Sequence, residues 1–403
     1  MEERHHGNAG KKDAQRPEGI LGTADSRWQR VLEQNKAKIE NIYHALEDEL
    51  SKKLYRNLLE LQYTGDVRYL MEAVRLSGFE PDPALLEVER LRGWRDRGRE
   101  LVLYGLGRNA EYYMNFAEAH AGTIGYYFFP FITTVDWSAY CDKDRRGTFG
   151  PDQKRILSPE EMMERYPDAL ICVTVSDFER VKTDLMEMGV EAERIVRYVP
   201  GSTRVFDEQQ YFDNDFMHPR KERFFVDGGA FHLETAERCL DWNQGHGIEG
   251  ILSYEPDPIN AGICRQRLSA WPVNEELRRN SAVINAGLSD QPATMNFLAG
   301  GTSASHFRGT EEGVSIPLVT VDETVGNRFV SFIKLDVEGF ELQALKGAEK
   351  TVRRCRPRMA VCAYHRLGDL LELPQWILDV DPSYQMRLRM YSNEYLEIVL
   401  YAQ

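Results

Sequence analysis

Apolar and polar positions repeat with two different periods along this chain, and the two periods separate a helical stretch from strand-rich ones. Between residues 24 and 62 apolar residues recur at helical spacing, which predicts an N-terminal helical region over 23–98. From residue 99 onward, short apolar runs end in glycine or acidic residues and are followed by helical patterns. Strands that alternate with helices in this way are typical of parallel α/β sheets. The first 22 residues are polar and glycine-rich, which predicts a disordered tail.

Two α/β units follow the helical region. The segments "RELVLYGLGRNAEYYMNFAEAH" and "ALICVTVSDFERVKTDLMEMGV" each predict a strand, a turn and a helix, which indicates a small Rossmann-like domain at 99–200. Residues 201–222 are polar and charged, and we interpret them as a linker. The second unit, at 223–403, ends in two predicted strands separated by "SNE", which indicates an antiparallel hairpin at the edge of its sheet.

Composition and charge narrow the range of partners. The chain has 403 residues and a formal net charge of -14, which argues against nucleic acid or an anionic membrane as the main partner. Its six cysteines are scattered without a CxxC pair, as expected of reduced thiols in a cytoplasmic protein. No apolar run has membrane-spanning length, so we expect no membrane insertion. The N-terminal helices could pack on the next domain, which we prefer, or form a homodimer.

Acidic residues stand at the ends of four predicted strands in the second unit. Asp227 follows "RFFV", Glu255 follows "GILSY", Asp290 ends "SAVINAGLSD", and Asp336 lies in "FIKLDVEGFE". In an open parallel sheet, ligands bind outside the carboxyl ends of the strands. We therefore expect the four acids to face one cleft.

The stretch "FIKLDVEGFE" by itself supports two interpretations. The strand is predicted to continue to Gly339, so Lys334, Asp336 and Glu338 share one face, because strand side chains alternate. Three charges on one face indicate either a functional site at the end of a strand or the solvated face of a half-exposed strand.

Asp227, which follows the first predicted strand of the second unit, helps to identify the ligand. A dinucleotide site begins with a glycine-rich loop that brings a helix N-terminus to a pyrophosphate, which Asp227 would repel. A carboxylate there suits a cationic ligand such as S-adenosylmethionine, and Glu255 would accept hydrogen bonds from both ribose hydroxyls. The sequence therefore favours this methyl donor over a nicotinamide cofactor.

Residues 224–402 resemble the FkbM-type S-adenosylmethionine-dependent methyltransferases. The resemblance is carried by "FFVDGGAFHLETA", "YEPDP", "INAGLSD", "FIKLDVEGFELQALKGAEKTV" and "RPRMAVCAYHR", in this order. It implies an α/β fold: a Rossmann-like methyltransferase sheet with an antiparallel terminal hairpin, preceded here by the second small α/β domain and the N-terminal helices. It also implies a functional site in "FIKLDVEG" and contacts with the cofactor at Asp227, Gly229, Ala230 and Glu255, with Asp290 near the adenine.

Four residues are candidates for the chemistry. Methyl transfer from a sulfonium needs an aligned acceptor and removal of its proton, and Asp336 is the first candidate for both tasks. His365, just after the predicted strand "MAVCAY", is the candidate general base. Lys334 would pair with Asp336 or Glu338, while Glu338 would either act in the site or cap the next helix. A divalent cation held by Asp336, Glu338 and His365 is an alternative, but no ligand spacing requires it and we predict no metal site.

Together with the resemblance, these residues imply an O-methyltransferase that acts on a small molecule. A saccharide (glycan) precursor is suggested by analogy with similar two-domain chains. Leu233 stands where relatives commonly have glycine, which leaves open a non-catalytic binding or regulatory protein with a degenerate donor site. Ser303 and Ser305 are expected on a loop over the acceptor.

A third function class, a nucleotide-dependent oxidoreductase, would use the glycine turn of the first α/β unit. The turn carries Gly105 and Gly107, and Asp142 and Asp144 could face a ligand above it. The third glycine of the dinucleotide fingerprint is missing, which argues against this class.

Overall fold

The computed structural model describes residues 26–64, 66–107, 110, 137–150, 153–197, 205, 207, 209–213, 215–243, 246–298, 306–307, 313–393 and 395–403. The predicted disordered tail at 1–22 and the loop with Ser303 and Ser305 lie outside these residues.

The N-terminal region is helical, as its apolar spacing predicts. Its described helices are α1 (Ser26–Gln34), α2 (Lys36–Ala45), α3 (Glu49–Thr64), α4 (Val67–Leu76) and α5 (Pro83–Asp96). The periodic stretch over 24–62 is broken between α2 and α3, where Leu46 is extended and forms a β-bridge with Met386. The backbone N–H of Glu47 also donates to the Met386 carbonyl at 2.9 Å. A tertiary contact with the end of the chain therefore interrupts a locally favourable helix.

The first α/β unit forms a six-stranded sheet. Its elements are β1 (Leu101–Tyr104), β2 (Ala139–Cys141), β3 (Thr148–Phe149), β4 (Lys154–Leu157), α6 (Pro159–Arg165), β5 (Leu170–Val173), α7 (Phe178–Glu187), a 3-10 turn (Ala192–Arg194) and β6 (Ile195–Arg197). The strand order is β3-β4-β2-β1-β5-β6, and every pair is parallel except β3 with β4.

The second α/β unit is built on a seven-stranded sheet. Its strands are β7 (Glu222–Gly228), β8 (Ile248–Tyr254), β9 (Ala282–Ile284), β14 (Val330–Leu335), β15 (Arg358–Cys362), β16 (Met386–Met390) and β17 (Ile398–Ala402). Its helices are α8 (Glu234–Trp242), α9 (Pro258–Ala270), α10 (Glu275–Asn280), α11 (Val321–Val325), α12 (Glu341–Lys346), α13 (Glu349–Cys355) and α14 (Asp369–Val380). The order is β16-β17-β15-β14-β7-β8-β9, with β16 and β17 antiparallel and the other strands parallel. The predicted α/β fold with a terminal hairpin is confirmed.

Strand β14 lies at the centre of this sheet, between β15 and β7, and every residue in it is buried. The interpretation of "FIKLDVEGFE" as the solvated face of a half-exposed strand is therefore wrong. A central parallel strand is covered on both faces, so alternating polarity does not report exposure there. The strand also ends at Leu335, so Asp336 and Glu338 belong to the following turn.

A second, smaller sheet is formed by the four strands that lie between β9 and β14 in the sequence. It contains β10 (Gly287–Leu288), β11 (Ala293–Leu298), β12 (His306–Phe307) and β13 (Val314–Val319), in the order β10-β13-β11-β12. The prediction of one strand over "SAVINAGLSD" was wrong, because β9 and β10 join different sheets. The chain turns between them, where the Asn285 amide donates to the carbonyls of Glu255 and Pro256 at 2.8 and 2.9 Å.

The segment interpreted as a linker is part of the second unit. Tyr211, Phe212, Phe216 and Met217 are all buried. The Phe212 ring lies 6.0 Å from that of Phe332 in β14. The aromatic residues of "QYFDNDF" therefore pack on the sheet, although the polar residues between them hide this in a composition average.

The N-terminal helices pack on the terminal hairpin, and not only on the next domain in sequence as expected. Arg389 in β16 donates to Asp48 at 2.7 Å and to the Ser51 hydroxyl at 2.9 Å, at the start of α3. The same guanidinium lies 3.3 Å from Asp213 of the former linker segment. Arg389 thus joins three distant parts of the chain.

Among the described residues, no helix combines the length and apolar character needed to cross a membrane.

We predict that Asp48→Asn lowers the free energy of unfolding at pH 7 by about 2 kcal/mol. Burial alone would raise the pKa of Asp48, but its hydrogen bonds with Arg389 and Ser51 lower it from 3.8 to about 2. A depressed folded-state pKa stabilises the fold above the unfolded value, and this contribution is lost as the pH falls towards 2. Denaturant unfolding at pH 7 and pH 3 measures it. Glu49→Gln, at the exposed neighbouring carboxylate, is the control, and an equal effect of both variants would contradict the assignment.

Candidate functional site

A cavity of about 280 Å³ opens at the carboxyl ends of β7, β8 and β14. Among the predicted site residues, Gly229, Ala230, Glu255, Lys334, Asp336 and Glu338 line it. The strand ends bring these residues together from three separate segments of sequence. Asp227, His365 and Asp290 are not among the lining residues.

The turn after β7 approaches the turn after β14 so closely that only glycine fits. Gly229 has φ of +78°, and a Cβ added there would overlap the carbonyl oxygen of Asp336. The backbone N–H groups of Gly229 and Ala230 both donate to the Tyr254 carbonyl at 3.0 Å, which ties this turn to the end of β8. Gly229 thus sets the distance between the two turns that form the cavity floor.

Lys334 in the cavity wall forms a buried ion pair with Asp227, which lies behind that wall. They lie opposite each other in the register of β14 and β7, with Lys334 Nζ 3.3 Å from Asp227 Oδ1. The ammonium also donates to the carbonyls of Gly228 at 3.1 Å and Gly229 at 2.7 Å. Burial favours a neutral lysine, but Asp227 raises the pKa of Lys334 above its usual value.

This pairing corrects two expectations. Lys334 forms its ion pair with Asp227, and not with Asp336 or Glu338. The charge of Asp227 is compensated within the protein, so the argument that it requires a cationic ligand no longer holds. In this position Asp227 holds Lys334 beneath the turn at Gly229, while its predicted contact with the cofactor stays a prediction.

Glu255 presents its carboxylate at the end of β8. One oxygen accepts the Phe231 N–H and the other the Asp257 N–H, each at 2.8 Å. Burial raises the pKa of Glu255 to about 7, against the lowering effect of these two bonds. Each oxygen keeps a second lone pair, so the carboxylate can accept from a diol in the cavity.

A group of acids lines the opposite end of the cavity. Asp336 accepts a hydrogen bond of 2.8 Å from the Tyr211 hydroxyl. Burial by itself would raise the pKa of Asp336, but the charges of Lys334 and His365 lower it below its usual value. Burial raises the pKa of Glu338 and of Glu397 to about 7. Asp336 is therefore the most acidic of these three carboxyl groups.

His365 lies behind these acids. Its Nδ1 is 2.9 Å from Glu341, and its Nε2 is 3.5 Å from Asp336 and 3.8 Å from Glu338. Burial opposes a charged imidazole, yet Glu341 and Glu338 raise the pKa of His365 well above its usual value. A protonated imidazole has no lone pair to accept a proton, so this geometry gives His365 a different role from the predicted general base. Nor does Glu338 cap the next helix, since Phe340 occupies that position without a side-chain bond.

Two further predicted positions lie outside the cavity wall. Asp290 is exposed and its carboxylate accepts from Ser289, while Ala286, Gly287 and Leu288 form the wall on that side. Leu233 is 1% exposed and packs in the core, with a left-handed φ of 72° at the start of α8. This backbone conformation is one that glycine adopts more easily than leucine, and the Leu233 side chain does not line the cavity.

Sequence reasoning missed Tyr211, Gln210 and Glu397, which also line the cavity. Gln210 donates to Glu397, and the backbone N–H of Tyr211 donates to the Tyr401 hydroxyl at 2.9 Å. The aromatic residues in the supposed linker, and a glutamate just before the apolar "IVLYA", were the available signals.

Left-handed backbone is concentrated at this cavity. Seven described residues other than glycine have positive φ, and four of them line it: Tyr211 (72°), Phe231 (47°), Glu338 (53°) and Glu397 (55°). Such conformations cost about 1–2 kcal/mol per residue and persist where the surroundings impose them, often at functional sites.

The glycine turn of the first α/β unit has a structural explanation. The Leu106 N–H donates to Asp142 at 2.7 Å, and Arg145 donates to the Leu106 carbonyl at 2.7 Å. A Cβ at Gly105, where φ is +88°, would overlap Val175. A carboxylate therefore takes the position where a dinucleotide site would hold a phosphate.

One protein-family model matches part of the second unit. Residues 228–385 match the family model described as the methyltransferase FkbM domain. The sequence matches none of the curated proteins.

Two similar solved structures are methyltransferase FkbM from Methylobacillus flagellatus KT and Aeropyrum pernix fibrillarin in complex with natively bound S-adenosyl-L-methionine. The first is 17% identical and covers 88% of this chain and 99% of its own, with a TM-score of 0.47. The second is 13% identical and covers 46% of this chain and 67% of its own, with a TM-score of 0.30.

We predict that Lys334→Met lowers the free energy of unfolding by about 3–5 kcal/mol, because it leaves the buried Asp227 carboxylate without a counter-charge. The double variant Lys334→Met, Asp227→Leu should recover at least half of this loss, since it removes both charges. Guanidinium unfolding measures the change. A double variant no more stable than the single one would show that the ion pair is not the source of the loss.

Gly229→Ala should lower the melting temperature of the protein and disturb the residues around the cavity. The alanine methyl group would overlap the Asp336 carbonyl, and the backbone at this position is left-handed. The matched control is Gly262→Ala in α9, where an added Cβ has no heavy atom within 4 Å. That substitution should stabilise the helix by up to about 1 kcal/mol. Thermal unfolding compares the two, and equal melting temperatures would refute the close approach.

Proposed function

We propose that this chain transfers a methyl group from S-adenosylmethionine to a hydroxyl of a small molecule or saccharide precursor, because residues 228–385 match the methyltransferase FkbM domain model. The observation that carries the proposal is the position of Glu255, whose two carboxylate oxygens stand at the cavity end of β8 with lone pairs to spare. The proposed hydroxyl acceptor is inferred from the carboxyl groups of Asp336, Glu338 and Glu397 at the β14 end of the cavity.

The cavity residues fit such a donor at the β8 end. Glu255 would hold the two ribose hydroxyls, since a carboxylate accepts from a diol through both of its oxygens. Phe231, Pro256 and Leu288 offer an apolar wall for the adenine. When bound, the donor supplies an electrophilic methyl group on a sulfonium. Gly229 and Ala230 shape the floor between the two ends of the cavity.

The acids at the β14 end suit an acceptor with several hydroxyl groups. Carboxylates accept hydrogen bonds from hydroxyls, and Asp336, Glu338 and Glu397 all reach this part of the wall. Asp336 is the proposed base, because its low pKa keeps it ionised and the Tyr211 hydroxyl fixes one of its oxygens. Lys334 and His365 act through Asp336, since their charges keep it ionised.

The two alternative classes have less support. The oxidoreductase would need the turn at Gly105, where Asp142 already accepts the Leu106 N–H. The non-catalytic protein was suggested by Leu233, which packs in the core and does not line the cavity.

Calorimetric titration with S-adenosylmethionine and, separately, NADH tests the proposal. We expect binding of the first only, with an affinity that rises about tenfold between pH 6 and pH 8. A glutamate with a pKa of about 7 changes from about one tenth to about nine tenths ionised over this range, and the ionised form accepts both hydroxyls.

Glu255→Gln should weaken donor binding at pH 8 and remove most of its pH dependence. Glu276→Gln, at an exposed glutamate in α10, is the control and should behave as the unmodified chain. An unchanged pH profile in Glu255→Gln would assign the titration to Glu338 or Glu397. Binding of NADH alone would favour the oxidoreductase, and binding of neither ligand would favour the non-catalytic protein.

A further inference from the structure

His365 stands among more acidic groups than one imidazole can neutralise. Asp336 and Glu338 face its Nε2, and Glu341 bonds its Nδ1. Asp369 at the start of α14 and Glu397 before β17 also interact with its charge. Five carboxyl groups therefore surround this one imidazole. Glu341 and Asp369 are buried, and Asp336, Glu338 and Glu397 line the cavity wall.

Two oxygen atoms of this cluster are buried without a hydrogen-bond partner. They are Asp336 Oδ1 and Glu341 Oε2, and the side chain of Glu341 is 0% exposed. A buried carboxylate oxygen without a partner is costly, so each such atom in a folded protein requires an explanation. Neither Arg nor Lys lies within ion-pair distance of these two carboxylates in the part of the chain that the structure describes.

The separations around His365 also suit a bound ion. One ligand atom each from Asp336, Glu341 and His365 lies within 4.8 Å of the others. The distances of 3.5 and 3.8 Å from Nε2 to Asp336 and Glu338 are too long for good hydrogen bonds. Ligand atoms that share one ion at about 2.0–2.2 Å are separated by comparable distances.

We infer that Asp336, Glu341 and His365 form a site for one divalent cation, with Glu338 at its edge. The ion replaces a proton on the imidazole of His365, and that proton is released to solvent when the ion binds. The three residues come from the turn after β14, from α12 and from the turn after β15. Because they lie in separate elements, no short sequence motif predicts this metal site. The inference goes beyond the proposed methyl transfer and does not depend on it. If both hold, the ion lies at the end of the cavity that takes the acceptor.

The donor set indicates the kind of ion. Carboxylate oxygens suit Mg²⁺ and Mn²⁺, while the single imidazole adds affinity for Mn²⁺. No cysteine belongs to the group, which disfavours a thiolate-type zinc site. Mn²⁺ is therefore the probe of choice.

The test is a Mn²⁺ titration of the full chain after removal of metals with EDTA, followed by the electron paramagnetic resonance signal of the remaining free ion. His5 and His6 lie outside the described residues and could bind metal, so both are replaced by alanine in every variant. We expect one Mn²⁺ per chain, displaced by excess Mg²⁺. Asp336→Asn should weaken binding at least tenfold, because it removes a charged ligand.

Asp379→Asn, at an exposed acid of α14, is the matched control and should change the affinity less than twofold. Glu341→Gln adds a second test, and circular dichroism verifies that each variant is folded. No binding up to millimolar Mn²⁺, or equal binding by Asp336→Asn and Asp379→Asn, would overturn the site. Donor titration of the same samples in EDTA keeps the two proposals separate, since donor binding there does not require the ion.

Discussion

The buried ammonium of Lys334 is the interaction on which the arrangement of the site depends. It lies in the central strand β14, opposite Asp227 in β7, and donates to the carbonyls of the glycine turn that follows β7. A charge buried at this depth is stable only with a partner and with its hydrogen bonds satisfied. The ion pair therefore fixes the register of β14 and β7 and shapes the turn at Gly229. The charge of Lys334 also lowers the pKa of Asp336, which follows β14.

Distant parts of the chain complete the cavity around this centre. Tyr211 comes from the segment between the two α/β units and Glu397 from the terminal hairpin, and both have left-handed backbone. Arg389 connects them to the N-terminal helices, since it bonds Asp48 and lies 3.3 Å from Asp213, two residues after Tyr211. The helical region thus supports the walls of the cavity through charged contacts with β16, in addition to its apolar packing.

The electrostatics of the site follow from an excess of acid in a buried place. Glu255, Glu338 and Glu397 all have pKa values raised to about 7 by burial, whereas Asp336 is kept ionised by two neighbouring cations. Environment therefore divides chemically similar carboxyl groups into one ionised acid and several that titrate near neutrality. Such a division suits the proposed methyl transfer to a hydroxyl group, in which one carboxylate accepts the proton of that hydroxyl.

The sequence by itself determined the α/β class, the terminal hairpin and the strand-end positions of Gly229, Glu255 and Asp336, because these depend on local periodicity and on the rule that parallel strands end at one edge. Tertiary structure decided what the local pattern could not. It split "SAVINAGLSD" between two sheets, buried both faces of β14 and turned a polar linker into a wall of the cavity. It also pairs Lys334 with Asp227 and brings Glu341 into contact with His365. Those choices depend on strand register and on contacts between residues far apart in the chain, which no short-range pattern encodes.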